Sequence, residues 1–199
     1  MDILIKDEDQ INIILENISK MLFNRKYVDD QKKAYNSLLE GLNNNKETSC
    51  VGTRTYAIKF YYPHIDTIKK IPEIENFLEA NKKNYKFLIV KSISNKGYKQ
   101  LMEYNNLEIF LDNDFMINLV DHHMVPKHYL LTKEEAEEYF KTFDNKKKEM
   151  PRILSSDPVA RYYNAKVGDV FRVERPSITA GISISFSIVV QGKVDFMRG

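Results

Sequence analysis

The sequence predicts a mixed α+β / α/β fold, with N-terminal helices and an α/β layer followed by a small mixed C-terminal domain with antiparallel strands. Three observations lead there. Apolar residues near the N-terminus recur at helical spacing. From residue 54 to residue 111 the pattern runs strand, helix, strand, helix, strand, the order that builds a helix-covered sheet. Near the C-terminus two runs alternate apolar and polar residues. The character changes near residue 121, which divides the chain into 1–121 and 122–199.

Taking the elements in order, Ile11, Leu15, Ile18 and Leu22 share one face of a helix expected over Asp9–Leu22. A second helix is expected from Val28 to Leu42, with Ala34, Leu38, Leu39 and Leu42 apolar. The Asn43-Asn44-Asn45 run reads as a solvated connection, with Cys50 in a polar linker beyond it. Arg54–Tyr62 is aromatic and β-branched and ends at Pro63, which reads as a strand. Pro72 with Glu73 and Glu75 behind it marks a helix start, because proline loses no needed donor there and carboxylates suit the positive end of the helix. Tyr85–Val90 is a nearly continuous apolar strand, the mark of burial on both faces. A helix from about Lys96 to Tyr104 and a strand at Leu107–Leu111 complete the layer.

Beyond the boundary, His122–His128 reads as an extended segment held out of helix by Pro126. Thr132-Lys133-Glu134-Glu135 is a capping box that opens a helix running through Phe143. At the end of the chain Val170, Arg172 and Glu174 oppose Phe171 and Val173. In the next run Ile182, Ile184, Phe186 and Ile188 oppose Ser183, Ser185 and Ser187. The expectation is a two-stranded antiparallel pair with one wet face.

Composition narrows the function. Hydrophobic residues make up 43% of the 199 residues and charged ones 29%, ordinary globular usage that excludes a disordered tail, a fibre or a coiled-coil rod. Thirty basic against 28 acidic residues leave a net charge of +2, too weak a field to demand nucleic acid or membrane. One cysteine, Cys50, forbids an internal disulfide and any all-cysteine metal cage, and suits a reducing compartment. No apolar run reaches the ~20 residues of a membrane span, and Asp2, Asp7, Glu8 and Asp9 make the start acidic where a signal peptide is basic. A soluble intracellular protein is expected.

The motifs of catalysis are absent. His122, His123 and His128 lie close in sequence, but adjacent histidines on an extended chain point to opposite faces and no second ligand pair joins them. Seven glycines are scattered without a phosphate-cradling loop. A metal-dependent nuclease needs carboxylates and a lysine at strand ends. The acid-x-lysine triplets Asp30-Gln31-Lys32 and Asp144-Asn145-Lys146 fall in helix or loop instead. Glu134, Glu135, Glu137 and Glu138 belong to the first turns of a helix. Between Lys146 and Arg175 eight basic residues stand against four acidic ones, either a solvated face or phosphate contacts without sequence preference. The residues alone leave open a non-catalytic subunit, a metal-dependent nuclease-like DNA-processing enzyme and a free-standing DNA-binding transcription regulator.

The C-terminal blocks decide among these. His123–His128, Leu131–Glu135, Met150-Pro151-Arg152-Ile153, Asp157-Pro158-Val159-Ala160-Arg161-Tyr162-Tyr163, Lys166–Val170 and Arg175–Gly181, in this order, resemble one family closely. It is the fifth subunit shared by eukaryotic-type DNA-directed RNA polymerases. The C-terminal domain of that family is similar to a small archaeal polymerase subunit that consists of little more than this domain. The resemblance implies a non-catalytic subunit with no cofactor and no metal or catalytic residues of its own. It implies an N-terminal jaw domain resembling an inactive nuclease fold, and a C-terminal assembly domain docked on the largest subunit among the other subunits. The jaw would touch downstream duplex DNA without reading its sequence, and no membrane is involved. The family faces DNA through a loop centred on Thr-Pro-Ser-Ala. The corresponding Ile93–Lys99 here lacks that proline, and Asn95, Lys96, Tyr98 and Lys99 become the DNA-contact candidates. Docking candidates are Arg152, Asp157, Pro158, Arg161, Tyr162, Arg175, Pro176 and Ser177, while Gly168 and Gly181 read as structural turn residues. Heavy use of Asn and Lys without tryptophan suits the AT-rich genome of a protist or of a large DNA virus that encodes its own polymerase. Localisation would follow the source: the nucleus for a cellular copy, the virion or host cytoplasm for a viral one.

Overall fold

A computed structural model describes residues 7–43, 48–51, 54–68, 71–143, 149–177, 179 and 181–192. The chain divides between Ile117 and Asn118 into two compact units, each with its own four-stranded sheet.

In the first unit, α1 (Asp7–Asn24) buries Leu15, Ile18 and Leu22 along the expected stripe, with Ile14 and Met21 beside them. The chain then reverses through Lys26 at φ 57. Helix α2 (Gln31–Asn43) starts three residues later than the periodicity suggests, because the Asp30 carboxylate accepts the amides of Lys32 and Lys33 at 2.8 and 3.1 Å and caps it there. Val28 is buried in the lead-in instead. Strand β1 (Thr48–Val51) pairs antiparallel with β2 (Arg54–Tyr61), placing Cys50 opposite Thr55 on a strand and not in the polar linker expected of it. Four residues are too few to display a period. This strand exists through its pairing.

Two crossovers follow. Helix α3 (Pro72–Ala80) leads to β3 (Tyr85–Val90), and α4 (Asn95–Leu101) leads to β4 (Leu107–Leu111). Strands β2, β3 and β4 run parallel, with Phe60 beside Ile89 and Ile89 beside Phe110. Helix α4 stops at Leu101, short of the expected Tyr104, where the chain turns and passes through Asn106 at φ 56. One face of the sheet, with Ala57, Leu88, Val90, Leu107 and Ile109, packs on Ile74, Phe77 and Leu78 of α3 and on Leu101 of α4. Fully burying a side chain of this size contributes about 1.5–3 kcal/mol. The other face carries a row of rings: Tyr56 to Phe87 at 5.7 Å, Phe87 to Phe110 at 6.3 Å, and Phe110 to Phe115 of α5 (Asn113–Met116) at 4.9 Å. Helix α1 is fastened on this side at two points. Asn17 donates to the Phe115 carbonyl at 2.7 Å, and the Arg25 guanidinium holds the Glu108 carboxylate with two bonds of 2.9 and 2.8 Å.

Lys86 is a charge within the otherwise apolar β3. It is 2% exposed, and its ammonium donates to the carbonyls of Asn81 and Asn84 at 3.1 Å each, closing the end of α3. Burial pulls its pKa below the usual lysine value. A cation at a helix C-terminus is favourably placed for the dipole.

The second unit has the sheet order β5-β7-β8-β6, from β5 (Lys127–Leu130), β6 (Arg152–Leu154), β7 (Val170–Ser177) and β8 (Gly181–Val190). The expected antiparallel pair β7–β8 is therefore the centre of a four-stranded sheet. The outer strands, of four and three residues, are too short to announce themselves by alternation. Helix α6 (Lys133–Phe143) opens with the reciprocal capping box. The Thr132 amide donates to Glu135 at 2.8 Å, and the Glu135 amide to the Thr132 hydroxyl at 3.2 Å. On the α6 side, Val170, Ile188 and Met150 are buried with Phe186, whose ring stacks on Tyr139 at 4.0 Å. On the opposite side Phe171, Val173 and Val189 pack with Ala160 of α7 (Pro158–Tyr162) and with Ala165. The face expected to be wet is thus covered over much of its length. Water instead reaches the hairpin's far end, where Ile182 and Ile184 are 61% and 53% exposed.

Removing Arg25 leaves Glu108 without its partner in a site where the two side chains are only 1% and 20% exposed. Arg25→Ala should cost about 3 kcal/mol in denaturant unfolding, whereas Lys82→Ala on the exposed α3–β3 turn should stay within about 0.5 kcal/mol.

Candidate functional site

The DNA-contact candidates sit at the start of α4, after the C-terminal end of β3, where open α/β sheets present their ligand-facing loops. Two loops are stitched together to hold that start. Ile65 and Ile93 form a parallel bridge, with the Ile65 amide donating to Ser92 at 3.2 Å and the Ser94 amide to Ile65 at 2.8 Å. The Ser94 hydroxyl accepts from the Gly97 amide at 3.0 Å, capping the helix, and donates to the Asp66 carbonyl at 2.9 Å. Gly97 fits a close approach, since a Cβ there would lie 3.1 Å from both the Ile65 side chain and its carbonyl and would press on them. One turn on, the Gln100 side chain accepts the Ile68 amide at 3.1 Å. The inner side of α4 is thereby committed: Gly97 and Leu101 are buried, and Tyr98 packs against the core. Asn95, Lys96 and Lys99 are exposed, and so is Lys91 just past the end of β3. The structure thus separates Tyr98 from the three polar candidates by function within the fold. A serine directly ahead of the helix is the sequence signal for this cap.

The docking candidates divide in the same way. The Asp157 carboxylate accepts the Val159 amide at 2.8 Å and caps α7, with Pro158 in the first turn. Tyr162 is 9% exposed, with its ring 5.2 Å from that of Tyr163. Burial first, then the charge of Asp121, pushes the Tyr163 hydroxyl's pKa up. Arg161, in the last turn of α7, is half-buried. Arg152 on β6 and Arg175 and Pro176 near the end of β7 are exposed, and Ser177 faces Thr179 across the turn with their hydroxyls 3.4 Å apart. Ile178 and Ala180 lie outside the described residues. Gly168 at φ +99 and Gly181 at φ +70 occupy the left-handed region, where a side chain is strained. Gly168 ends a turn in which the Asp169 carboxylate accepts the Lys166 amide at 2.7 Å, and its own amide reaches Val189 at 2.9 Å.

The histidines correct the sequence reading. His122–Val125 is a turn, closed by the Val125 amide donating to His122 at 2.8 Å, and not extended chain. The rings of His122 and His123 consequently lie together, with centroids 4.6 Å apart, instead of pointing to opposite faces. His128 is elsewhere, donating to the Pro126 carbonyl at 2.7 Å with its ring 5.7 Å from Phe171. Among the described residues no three His, Cys, Asp or Glu gather as a metal site, and no helix is long and apolar enough to cross a membrane. The basic Lys146-Lys147-Lys148 and the Asp144-Asn145-Lys146 triplet lie outside the described residues.

Sequence reasoning missed a cluster across β5 and β7. Arg172 lies over the Tyr129 ring at 5.5 Å and pairs with Glu174, whose carboxylate also accepts from the Tyr129 hydroxyl at 3.5 Å. The pairing of Tyr129 with Arg172 produces it, and β5 was not legible as a strand.

The domain family described as RNA polymerase Rpb5, C-terminal domain, matches residues 117–189. DNA-directed RNA polymerase subunit 5 of Acanthamoeba polyphaga mimivirus is 28% identical over 199 residues, covering 96% of this chain and 97% of that protein. DNA-directed RNA polymerases I, II, and III subunit rpabc1 of Dictyostelium discoideum is 35% identical over 131 residues, 63% of this chain and 66% of its own. DNA-directed RNA polymerase subunit Rpo5 of Thermofilum pendens is 49% identical over 75 residues, 38% of this chain and 94% of its own.

Asp157→Ala should lower stability by about 1 kcal/mol through loss of the cap, measured by denaturant unfolding. Lys96→Ala should leave the unfolding midpoint in place, because its side chain is solvated.

Proposed function

The chain belongs to the Rpb5/Rpo5 family of RNA polymerase subunits, and on that premise we propose that it is an accessory subunit that anchors in a multisubunit DNA-directed RNA polymerase and performs no chemistry itself. The observation that carries the reading is the 117–189 domain match together with the end-to-end similarity to the mimivirus subunit. Residues 122–199 serve as the assembly domain that docks on the largest subunit. Residues 1–121 serve as the jaw, an inactive nuclease-like layer beside the downstream duplex. Exposure supports Arg152, Arg175 and Pro176 as partner-facing, and Arg161 in α7 is half-buried. Asp157, Pro158 and Tyr162 support docking indirectly, by shaping α7. Exposed Lys96 and Lys99, with Asn95, supply charge and hydrogen bonds for phosphates, which position a duplex without reading it. The compartment follows the polymerase served, the nucleus for a cellular enzyme and the virion or host cytoplasm for a viral one.

A tagged full-length chain should recover the two largest polymerase subunits stoichiometrically from its source. Recovery of the chain alone at low salt would overturn the assignment. Arg161→Ala should reduce the co-purified largest subunit while the chain stays folded, and an undiminished yield would remove that role. Lys96→Glu combined with Lys99→Glu should flatten the dependence of duplex binding on salt, by roughly two in the log–log slope. Equal slopes for the variant and the parent would clear α4 of DNA contact.

A further inference from the structure

The β7–β8 hairpin outruns the strands that flank it. Strand β5 accompanies β7 only to the pair Lys127–Glu174, and β6 accompanies β8 only over Ile188–Val190, while β7 and β8 stay paired out to Ser177–Gly181. The outer edge of β8 from Gly181 to Ser185 has no described strand beside it. Its hydrogen-bonding sense follows from the covered end. The Ile188 amide donates outward to Pro151 at 2.9 Å, and the Val189 amide donates inward to Asp169 at 2.8 Å. Backbone groups alternate along a strand, so the amides and carbonyls of Ile182 and Ile184 point outward and those of Ser183 toward β7.

Exposed edges are ordinarily blunted by lysine, proline, a bulge or a covering element. This one reads Gly-Ile-Ser-Ile-Ser, uncharged and rich in β-formers, with Ile182 and Ile184 bare on one face and Ser183 on the other. Such an edge offers a row of backbone partners to an extended chain and nothing specific to a nucleic acid, a metal or a small molecule. The β6 strand shows that the same edge of β8 accepts an added strand. Resting on the polymerase reading above, we propose that Gly181–Ser185 of β8 seats an extended segment of a neighbouring polymerase subunit by strand addition. The added strand sets apolar side chains on Ile182 and Ile184, and small or polar ones beside Ser183.

Residue-resolved hydrogen exchange of the free full-length chain and of the assembled polymerase tests this. On assembly the amides of Ile182 and Ile184 should slow at least about tenfold, and those of Ser183 and Ser185, already bonded to β7, much less. Outward amides that exchange at the free-chain rate inside an assembled polymerase would overturn the proposal alone. So would equal slowing of all four, which signals general burial. Concentration-dependent protection in the free chain would replace the neighbouring subunit with a second copy and overturn it too. Failure to assemble with polymerase subunits would bring down both the family-based function and this inference. As a second variant, Ile184→Pro removes one outward donor and no bond to β7. It should speed dissociation from the polymerase about tenfold, the worth of one hydrogen bond, with an unchanged unfolding midpoint. An unchanged dissociation rate would count against strand addition.

Discussion

A parallel strand sealed on both faces has no water within reach, so a polar group that enters its layer must arrive with a partner. The first unit is arranged around that constraint. From Phe87 to Val90 β3 is buried throughout, with helices α3 and α4 on one side and the aromatic row on the other. The two cations at its margins are each answered locally. Lys86 is held by the carbonyls of Asn81, the residue that ends α3, and of Asn84 in the turn beyond it, so the buried ammonium does not go unpaired. Arg25 enters from α1 and is met by Glu108 in bidentate geometry.

The second unit follows a different rule. Its sheet is mixed, antiparallel across β5, β7 and β8 and parallel between β8 and β6, and it is covered by α6 and α7 near one end and exposed at the other. Gly168 and Gly181 supply left-handed backbone where it is needed, and the Lys166–Asp169 turn ties the entry of β7 to the exit of β8. The functional surfaces divide accordingly. On the first unit the candidate surface is the exposed side of a short helix whose inner side is locked by Gly97 and Ser94. On the second the candidates are spread over β6, α7 and the β7–β8 hairpin.

Much of this was legible in the residues. The strand–helix order from Arg54 to Leu111 and the Thr132–Glu135 capping box rest on local chemistry that sequence displays directly. The C-terminal blocks carried the family because they concentrate in turns and caps, where few residue types fit. What escaped was whatever depends on pairing. Strands β1, β5 and β6 are too short for a period, and they exist because β2, β7 and β8 offer edges. The turn at His122–Val125 looked extended because Pro126 restricts only the residue before it. Ile182 and Ile184 looked buried because alternation tells which face a residue lies on, not whether anything covers that face. Tyr162 and Tyr98 looked available for partners because a tyrosine's burial is invisible until its neighbours are placed.

The pairing of Arg25 with Glu108 spans 83 residues of chain. On a ribosome adding about 5–20 residues per second, the arginine is made roughly 4 to 17 s before its carboxylate exists. For that interval α1 has emerged with its apolar stripe and a cation bound for the interior, and strands β2 to β4 that will receive them are still being translated. Parallel pairing adds to the delay, since β2 cannot meet β3 until the crossover between them is complete. The nascent N-terminal unit is thus a late-closing one, exposed to chaperones and to misassociation until β4 leaves the exit tunnel.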